Sequence, residues 1–344
     1  MKSLRNLFVL IAMLAIPAFA QELTSDINLT VLDSSGNPIS GASASVTFEP
    51  TNSKASKNTS SSGSVAFRGL RPGGPYTIEV SFGGNSESLS NVSLTVGDTF
   101  RSNVTLSAGS LEEIVTVASK LNTNKDIGFS TSISSDDISK FSSVTRDLKD
   151  FVRLNPWSVA NDASDGQDAE LSIAGGGSRT NDILVDGASY NDDFGLNASG
   201  YPGQASPINL DSIEQLNVRV APSSIEYSNF EGGVIEIVTK GGTNDFNGSV
   251  YSYDRGDSFV GDSVDGRDID QEFDDTSEGF TLGGPIIKDK AFFFVAFESN
   301  DKTTPINYGP GGSGAPLSNP ITLEQVRQIQ TDTQSIYGFD PLLY

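Results

Sequence analysis

Two short runs in the middle of the chain alternate apolar and polar residues. In residues 216–220, Leu and Val alternate with Asn and Arg, and in residues 235–238, Ile alternates with Glu and Val. A period of two predicts β-strands that are buried on at least one face. Glycine pairs at 232–233 and 241–242 flank the second run and predict where that strand begins and ends.

Shorter alternating runs fill residues 22–107, which are rich in Ser, Thr, Gly and Asn. The runs are residues 27–32, 44–48, 64–67, 76–82, 92–96 and 102–106. Turn residues separate them, as between the strands of all-β domains. The spacing therefore predicts a small antiparallel β-sandwich.

The pattern between the sandwich and the central strands is partly helical. Residues 134–137 can cap a short helix, and an apolar face at helical spacing ends before Asn155-Pro156. The members of that face are Val144, Leu148, Phe151 and Val152. Strands are predicted at residues 170–173 and 183–185, the second one turning at Asp186-Gly187. Residues 120–243 therefore predict an α+β domain.

Longer alternating stretches follow residue 243. They cover residues 244–254, 279–287 and 291–298, with a tight turn at 288–290. Strands of about ten residues with an apolar face and aromatic ends are typical of outer-membrane barrels. Three strands cannot close a barrel, because an open edge in lipid leaves backbone groups unpaired. We therefore expect an incomplete transmembrane β-barrel and an N-terminal fragment of a longer protein.

The last described pattern is a helix signal in residues 322–338. Thr322 and Gln325 have the spacing of a capping box, apolar residues follow at 326, 329 and 336, and Gly338 provides a stop. We expect this helix to lie within a long loop outside the barrel.

The central strands, together with Asp-Ile-Leu-Val-Asp-Gly at 182–187, resemble the plug domain of TonB-dependent outer-membrane receptors, and within them the Oar-like branch. Residues 31–42 and 63–70 resemble the carboxypeptidase-regulatory-like domain, also described as a carbohydrate-binding-like fold. A generic small α/β domain is the alternative for the central strands. The resemblance implies a mainly β chain with a sandwich at 22–107, a plug at 120–243 and the first barrel strands at 244–344.

An apolar, β-prone segment at residues 111–118 separates the sandwich from the plug. A free strand of this kind can pair with the sheet of another protein. Its position resembles a TonB box, and the resemblance implies capture by a TonB-type periplasmic coupling protein. A plain linker strand is the alternative. The candidate partner-binding residues are Glu112, Glu113, Ile114, Val115, Thr116, Val117 and Ala118.

Residues 188–207 form a polar stretch that contains aromatic residues but has no periodicity. The resemblance implies that plug loops at this point face the outside and meet an extracellular ligand. An ordinary solvated loop is the alternative. The candidate contact residues are Tyr190, Asn191, Asp192, Asp193, Phe194 and Tyr201.

The start of the chain predicts export. Lys2 and Arg5 precede an apolar run at residues 7–16 and a small-residue ending, which is the pattern of a secretory signal peptide over residues 1–20, cut between Ala20 and Gln21. The absence of Cys excludes disulfides and a cysteine-linked lipid anchor. The resemblance implies the outer membrane of a Gram-negative bacterium, with the sandwich and the TonB box in the periplasm.

Composition removes several classes of function. The chain has no His, which excludes His-based catalytic triads and His-ligated zinc. We therefore expect no enzyme and assign no catalytic or metal-ligating residues. The net charge of -22 argues against binding to nucleic acid, which depends on clustered Lys and Arg.

Residues 254–278 contain ten acids and two arginines, but their spacing does not fit an EF-hand. An irregular Ca²⁺ site in this stretch is an alternative to a solvated acidic loop, and no other cofactor is expected. The leading hypothesis, implied by the resemblance, is energised uptake of an unknown ligand. The alternatives are a barrel-anchored surface adhesion or interaction protein and an exported carbohydrate-binding module. We expect a structural or spacer role for the sandwich itself.

Overall fold

The structure, a computed structural model, describes residues 24–106 and 129–341 apart from short gaps. The gaps are residues 144, 161–169, 198, 204–205, 226, 260, 262, 265–266, 269–272, 304–307 and 314–316. The signal peptide with Ala20 and Gln21, and the TonB-box candidate from Glu112 to Ala118, lie outside the described residues. No helix within the described ranges combines the length and the apolar character needed to cross a membrane.

The described residues form two compact units. The first takes its residues from the ranges Met1–Ala160, Leu171–Asn247 and Gly283–Phe294. The second takes them from Asn161–Glu170, Gly248–Leu282 and Val295–Tyr344. The first unit contains both the sandwich and the plug-like domain.

The sandwich has seven strands in two sheets. The strands are β1 (Ser25–Asp33), β2 (Ser43–Phe48), β3 (Ser53–Asn58), β4 (Ser64–Leu70), β5 (Gly73–Phe82), β6 (Asn85–Leu94) and β7 (Thr99–Leu106). The sheets have the orders β4-β1-β7 and β3-β2-β5-β6. Alternate residues such as Ile27, Leu29 and Ile78 are fully buried between the sheets, and each such side chain contributes about 1.5–3 kcal/mol through burial.

The sandwich differs from its prediction in two respects. Strand β3 was not predicted, because Ser-Lys-Ala-Ser-Lys-Asn has almost no apolar pattern and its residues are mostly exposed. The sheets are also not wholly antiparallel, since β1 and β7 pair in parallel. After β6 the chain crosses to the other sheet, where β7 runs in the same direction as β1. Parallel strands need such a crossover connection, because a tight hairpin reverses the direction of the chain.

The plug-like domain is built on a five-stranded sheet with the order β12-β11-β14-β13-β8. Its elements are β8 (Phe129–Ser134), α1 (Ser135–Lys140), α2 (Lys149–Val152), β9 (Ser158–Ala160), β10 (Leu171–Ile173), β11 (Asp182–Val185), β12 (Ala188–Ser189), β13 (Ile213–Val220) and β14 (Gly233–Thr239). Strands β13 and β14 are antiparallel, with Leu216 opposite Ile237 and Val218 opposite Ile235. These four side chains share one core with Phe151. The two predicted central strands are thus present and adjacent.

The helical prediction is correct at its start and wrong in its length. Helix α1 has the predicted capping box, in which Ser134 and Asp137 bond to each other's backbone N–H. Leu148, Phe151 and Val152 are buried as expected, but α2 has only four residues, and residue 144 lies outside the described residues. Arg146 has a φ of 51°, a left-handed conformation that a continuous α-helix cannot contain.

The predicted turn at Asp186-Gly187 joins β11 to β12 as a two-residue hairpin. Asp186 has a φ of 47° and Gly187 a φ of 78°. Positive φ at both central residues is the requirement of a type I′ turn, for which Asp-Gly is a preferred sequence.

The remaining strands are β15 (Asn247–Gly256), β16 (Ser263–Val264), β17 (Arg267–Asp268), β18 (Asp274–Ile287), β19 (Ala291–Thr303), β20 (Tyr308–Gly311) and β21 (Leu317–Thr322). Strands β15, β18 and β19 form a sheet in that order, as the long alternating runs predicted. Helix α3 (Leu323–Tyr337) begins with the predicted capping box at Thr322 and ends at Gly338 in the left-handed conformation.

The long strands have one polar and one apolar face. On the polar face, the hydroxyls of Ser249 and Thr281 lie 2.8 Å apart, and the Tyr251 hydroxyl donates to Glu298 at 2.7 Å. The alternate positions expose large apolar side chains, namely Val250, Phe280, Leu282, Val295 and Phe297. This alternation is the one expected of transmembrane barrel strands, which face lipid on one side and the barrel interior on the other.

Gly232 provides a test of how tightly the plug-like domain is packed. A Cβ added there would lie 2.3 Å from the carbonyl oxygen of Ile173, so we expect Gly232→Ala to lower the free energy of unfolding by about 1–3 kcal/mol. Thermal unfolding measures this change. The control is Gly203→Ala, since a Cβ at Gly203 meets nothing within 4 Å; equal losses in the two variants would contradict the interpretation.

Candidate functional site

The candidate ligand loop begins directly after the β11–β12 hairpin, and Asn191 fixes its base. The Asn191 side-chain oxygen accepts from the backbone N–H of Ile183 at 2.8 Å. Its amide nitrogen donates to the Asp182 carboxylate at 2.9 Å. Because both groups of this amide are used within the plug-like domain, Asn191 anchors the loop.

Asp192 stabilises the next turn of the loop. Its carboxylate accepts from the backbone N–H of Asn197 at 2.7 Å and from that of Phe194 at 3.2 Å. The N–H of Asn197 is the main reason that the pKa of Asp192 lies below its ordinary value, since these bonds favour the charged form. The carboxylate therefore shapes the loop while remaining at the surface.

Tyr201 was predicted to contact the ligand, but the structure buries its side chain. Its side chain is only 1% exposed, and its hydroxyl donates to Asp147 at 2.8 Å. The Lys149 ammonium lies 4.7 Å from the centre of its ring, and burial raises the pKa of the phenol well above its ordinary value. Tyr201 therefore holds the end of the loop in the core and does not reach the surface, because its large ring fills a space beside α2.

The outer part of the loop exposes apolar side chains. Phe194 is 88% exposed, Tyr190 is 43% exposed, and Asp193 lies beside them at the surface. Leu196, which was not among the predicted contacts, is 79% exposed. A loop tied down at its base that presents apolar groups to solvent is a surface that a ligand can cover.

A buried polar cluster lies on strands β13 and β14, and sequence reasoning missed it. Gln215, Asn217 and Arg219 alternate along β13, Glu236 lies opposite Asn217 on β14, and all four are at most 4% exposed. The Arg219 guanidinium bonds to Glu236 at 3.2 Å. Burial raises the pKa of the Glu236 carboxyl, and the charge of Arg219 opposes this shift. Polar alternation normally indicates a hydrated face, so the pattern by itself gave no sign of burial.

The acidic stretch 254–278 falls largely outside the described residues in its middle part. Within the described part of the chain, no group of three or more potential ligands is arranged to hold a metal ion. The irregular Ca²⁺ site in this stretch therefore stays a prediction.

Three family models match successive parts of the chain. The carboxypeptidase regulatory-like domain matches residues 26–107, the TonB-dependent receptor plug domain matches residues 123–235, and an outer membrane beta barrel domain matches residues 238–309. Sandwich, plug and barrel strands thus follow each other in the order that the folded elements show.

Two curated proteins, both named as TonB-dependent, are similar in sequence to part of this chain. The chain is 35% identical over 137 residues to the TonB-dependent transporter Oar of Myxococcus xanthus, a match that covers 37% of this chain and 12% of that protein. It is 29% identical over 188 residues to the probable TonB-dependent siderophore receptor PirA of Acinetobacter baumannii, covering 52% and 23%. The crystal structure of that receptor matches with a TM-score of 0.43 at 24% identity, over 53% of this chain and 26% of the other.

The family models give the chain a plug domain followed by outer-membrane barrel strands. This is the domain composition of TonB-dependent receptors of the Gram-negative outer membrane, and Oar is among the relatives of the chain. This family consists of receptors and transporters and not of enzymes. The chain spans less than a quarter of the length of either curated relative.

Tyr201 separates anchoring from ligand contact. Replacing Tyr201 by Phe removes the hydroxyl that donates to Asp147, and we expect a loss of about 1.5–3 kcal/mol in the free energy of unfolding, because the acceptor is charged. Chemical denaturation measures it. The matched control is Tyr190→Phe at the surface, which we expect to be neutral; a neutral Tyr201→Phe would show that the buried bond does not anchor the loop.

Proposed function

We propose that this chain belongs to a receptor that captures a ligand outside the cell and imports it with energy from the inner membrane. The observation that carries the proposal is the order of sandwich, plug and barrel strands along one chain. A plug inside a barrel blocks passage until it is displaced, so uptake requires a coupling to an energy source. We assign no catalytic chemistry to the chain.

The ligand would meet the plug at the exposed part of the loop that contains Tyr190, Asp193 and Phe194. Leu196 extends this surface. The anchoring bonds of Asn191, Asp192 and Tyr201 support the assignment, because a contact surface held in place loses less conformational entropy when a ligand binds. The apolar tip favours a ligand with apolar or aromatic groups.

The energy would arrive through the segment Glu112 to Ala118. We propose that a TonB-type coupling protein captures it in the periplasm by adding it as a strand, in which backbone hydrogen bonds supply the affinity. The position of the segment supports this, since it lies between the sandwich and the plug, and its residues lie outside the described ones. The sandwich would then also be periplasmic.

Deleting residues 112–118 from the receptor tests the coupling. We expect the deletion to abolish both co-purification with the TonB-type protein and energised uptake, while the receptor still reaches the outer membrane. The control is a deletion of equal length over residues 120–126, which shortens the same connection but leaves the apolar run intact.

Two results would contradict the proposal. If the deletion of residues 112–118 leaves both activities unchanged, the segment is a plain linker strand. If the receptor binds a surface partner but shows no uptake in any form, the barrel serves as an anchor for adhesion. Retention of a glycan by the sandwich in the intact receptor would instead favour a carbohydrate-binding role for that domain.

A further inference from the structure

The buried polar cluster of the plug is covered by the sandwich. The loop between β6 and β7, residues 95–98, lies against β13. The backbone N–H of Val96 donates to the Gln215 side-chain oxygen at 3.0 Å, and the Gln215 amide nitrogen donates to the carbonyl of Leu94 at 3.4 Å. One side chain of the plug thus pairs with the sandwich backbone as both acceptor and donor.

Arg219 makes the second bond between the domains. Its terminal nitrogen donates to the carbonyl oxygen of Val96 at 2.6 Å, while the same guanidinium is bonded to Glu236 and lies 5.3 Å from the ring centre of Tyr227. A buried ion pair is tolerable only if its remaining hydrogen-bonding groups find partners. The sandwich backbone provides one of them, so the buried environment of Arg219 and Glu236 depends on the presence of the second domain.

The sandwich loop can approach Arg219 closely because residue 97 is a glycine. Gly97 has a φ of +70°, and a Cβ there would lie 2.9 Å from the Arg219 guanidinium. A second contact lies away from the cluster, where the backbone N–H of Asn244 donates to the carbonyl of Pro50 at 2.8 Å. The sandwich therefore contacts the plug at its central strands and again where the chain leaves the plug.

We propose that the sandwich is an intramolecular clamp, which holds β13 and β14 in the conformation seen here through Gln215 and Arg219. The proposal goes beyond ligand uptake, because it assigns the sandwich a partner, the polar face of the plug sheet of its own chain. A plug that rearranges this sheet must first release the sandwich. Release breaks the hydrogen bond from Arg219 to the Val96 carbonyl and therefore costs free energy. A plug that moves as a body carries the sandwich with it.

Distance measurement between two spin labels tests the clamp in the full chain. The chain contains no Cys, so Ser40→Cys in the sandwich and Ala188→Cys in the plug, both at exposed positions, provide the only labelling sites. We expect a single narrow distance distribution in the otherwise unchanged chain. A broad distribution there overturns the proposal.

Two variants disturb the contact from opposite sides. Gln215→Glu keeps the size of the side chain but replaces the amide donor by a carboxylate facing the Leu94 carbonyl. Gly97→Ala adds a methyl group against Arg219 from the sandwich. For each we expect the ratio of docked to undocked molecules to fall by about tenfold or more, which corresponds to about 1.4 kcal/mol, and hydrogen exchange to increase in β13 and β14.

The matched control is Gly69→Ala. Gly69 lies in the same sandwich with a φ of +71°, but a Cβ there meets nothing within 4 Å, so it reproduces the backbone strain without the contact. Circular dichroism verifies that each variant is folded. If either Gln215→Glu or Gly97→Ala fails to fold, the other variant still tests the proposal. Unchanged distances and exchange in folded Gln215→Glu or Gly97→Ala chains would refute the clamp. The readouts need neither ligand nor coupling protein, so this failure is distinct from a failure of the proposed uptake.

Discussion

The arrangement of the first unit depends on the partners of one buried guanidinium. Arg219 lies in the middle of the plug sheet and bonds to Glu236 on the next strand and to the Val96 carbonyl of the sandwich. Removing one member of such a buried pair costs about 3–5 kcal/mol, since it leaves an uncompensated charge. The plug sheet can therefore carry polar residues on a buried face only while the sandwich covers it. This requirement makes two sequence domains into one structural body.

The ligand loop and the polar cluster of the plug have different physical characters. At the ligand loop, hydrogen bonds from Asn191, Asp192 and Tyr201 fix the base of the loop, while Phe194 and Leu196 remain at the surface. At the sandwich contact, Gln215 and Arg219 are buried and bonded to the sandwich backbone, and Arg219 is also bonded to Glu236. A loop that is exposed and locally anchored can respond to a ligand without breaking the core, whereas a change at β13 must break contacts between domains.

Much of the fold followed from local patterns. The central strands, the Asp186-Gly187 hairpin, the capping boxes at Ser134 and Thr322 and the long alternating strands were all predictable, because each depends on residues close together in sequence. Strand β3 and the short length of α2 were not. The first forms because strand β2 supplies hydrogen bonds to a polar segment, and the second begins only at Lys149 because the left-handed conformation of Arg146 interrupts a longer helix.

The candidate sites show the same division. By itself, the sequence determined the order of domains, the loop that carries Tyr190 and Phe194, and the exclusion of His-based chemistry, since these follow from residue types and their spacing. The tertiary structure alone decided that Tyr201 is an anchor and that Gln215, Arg219 and Glu236 are buried. Burial depends on what another part of the chain places over a residue. An alternating pattern states which side chains share a face of a strand, but it does not state whether water or a second domain lies against that face.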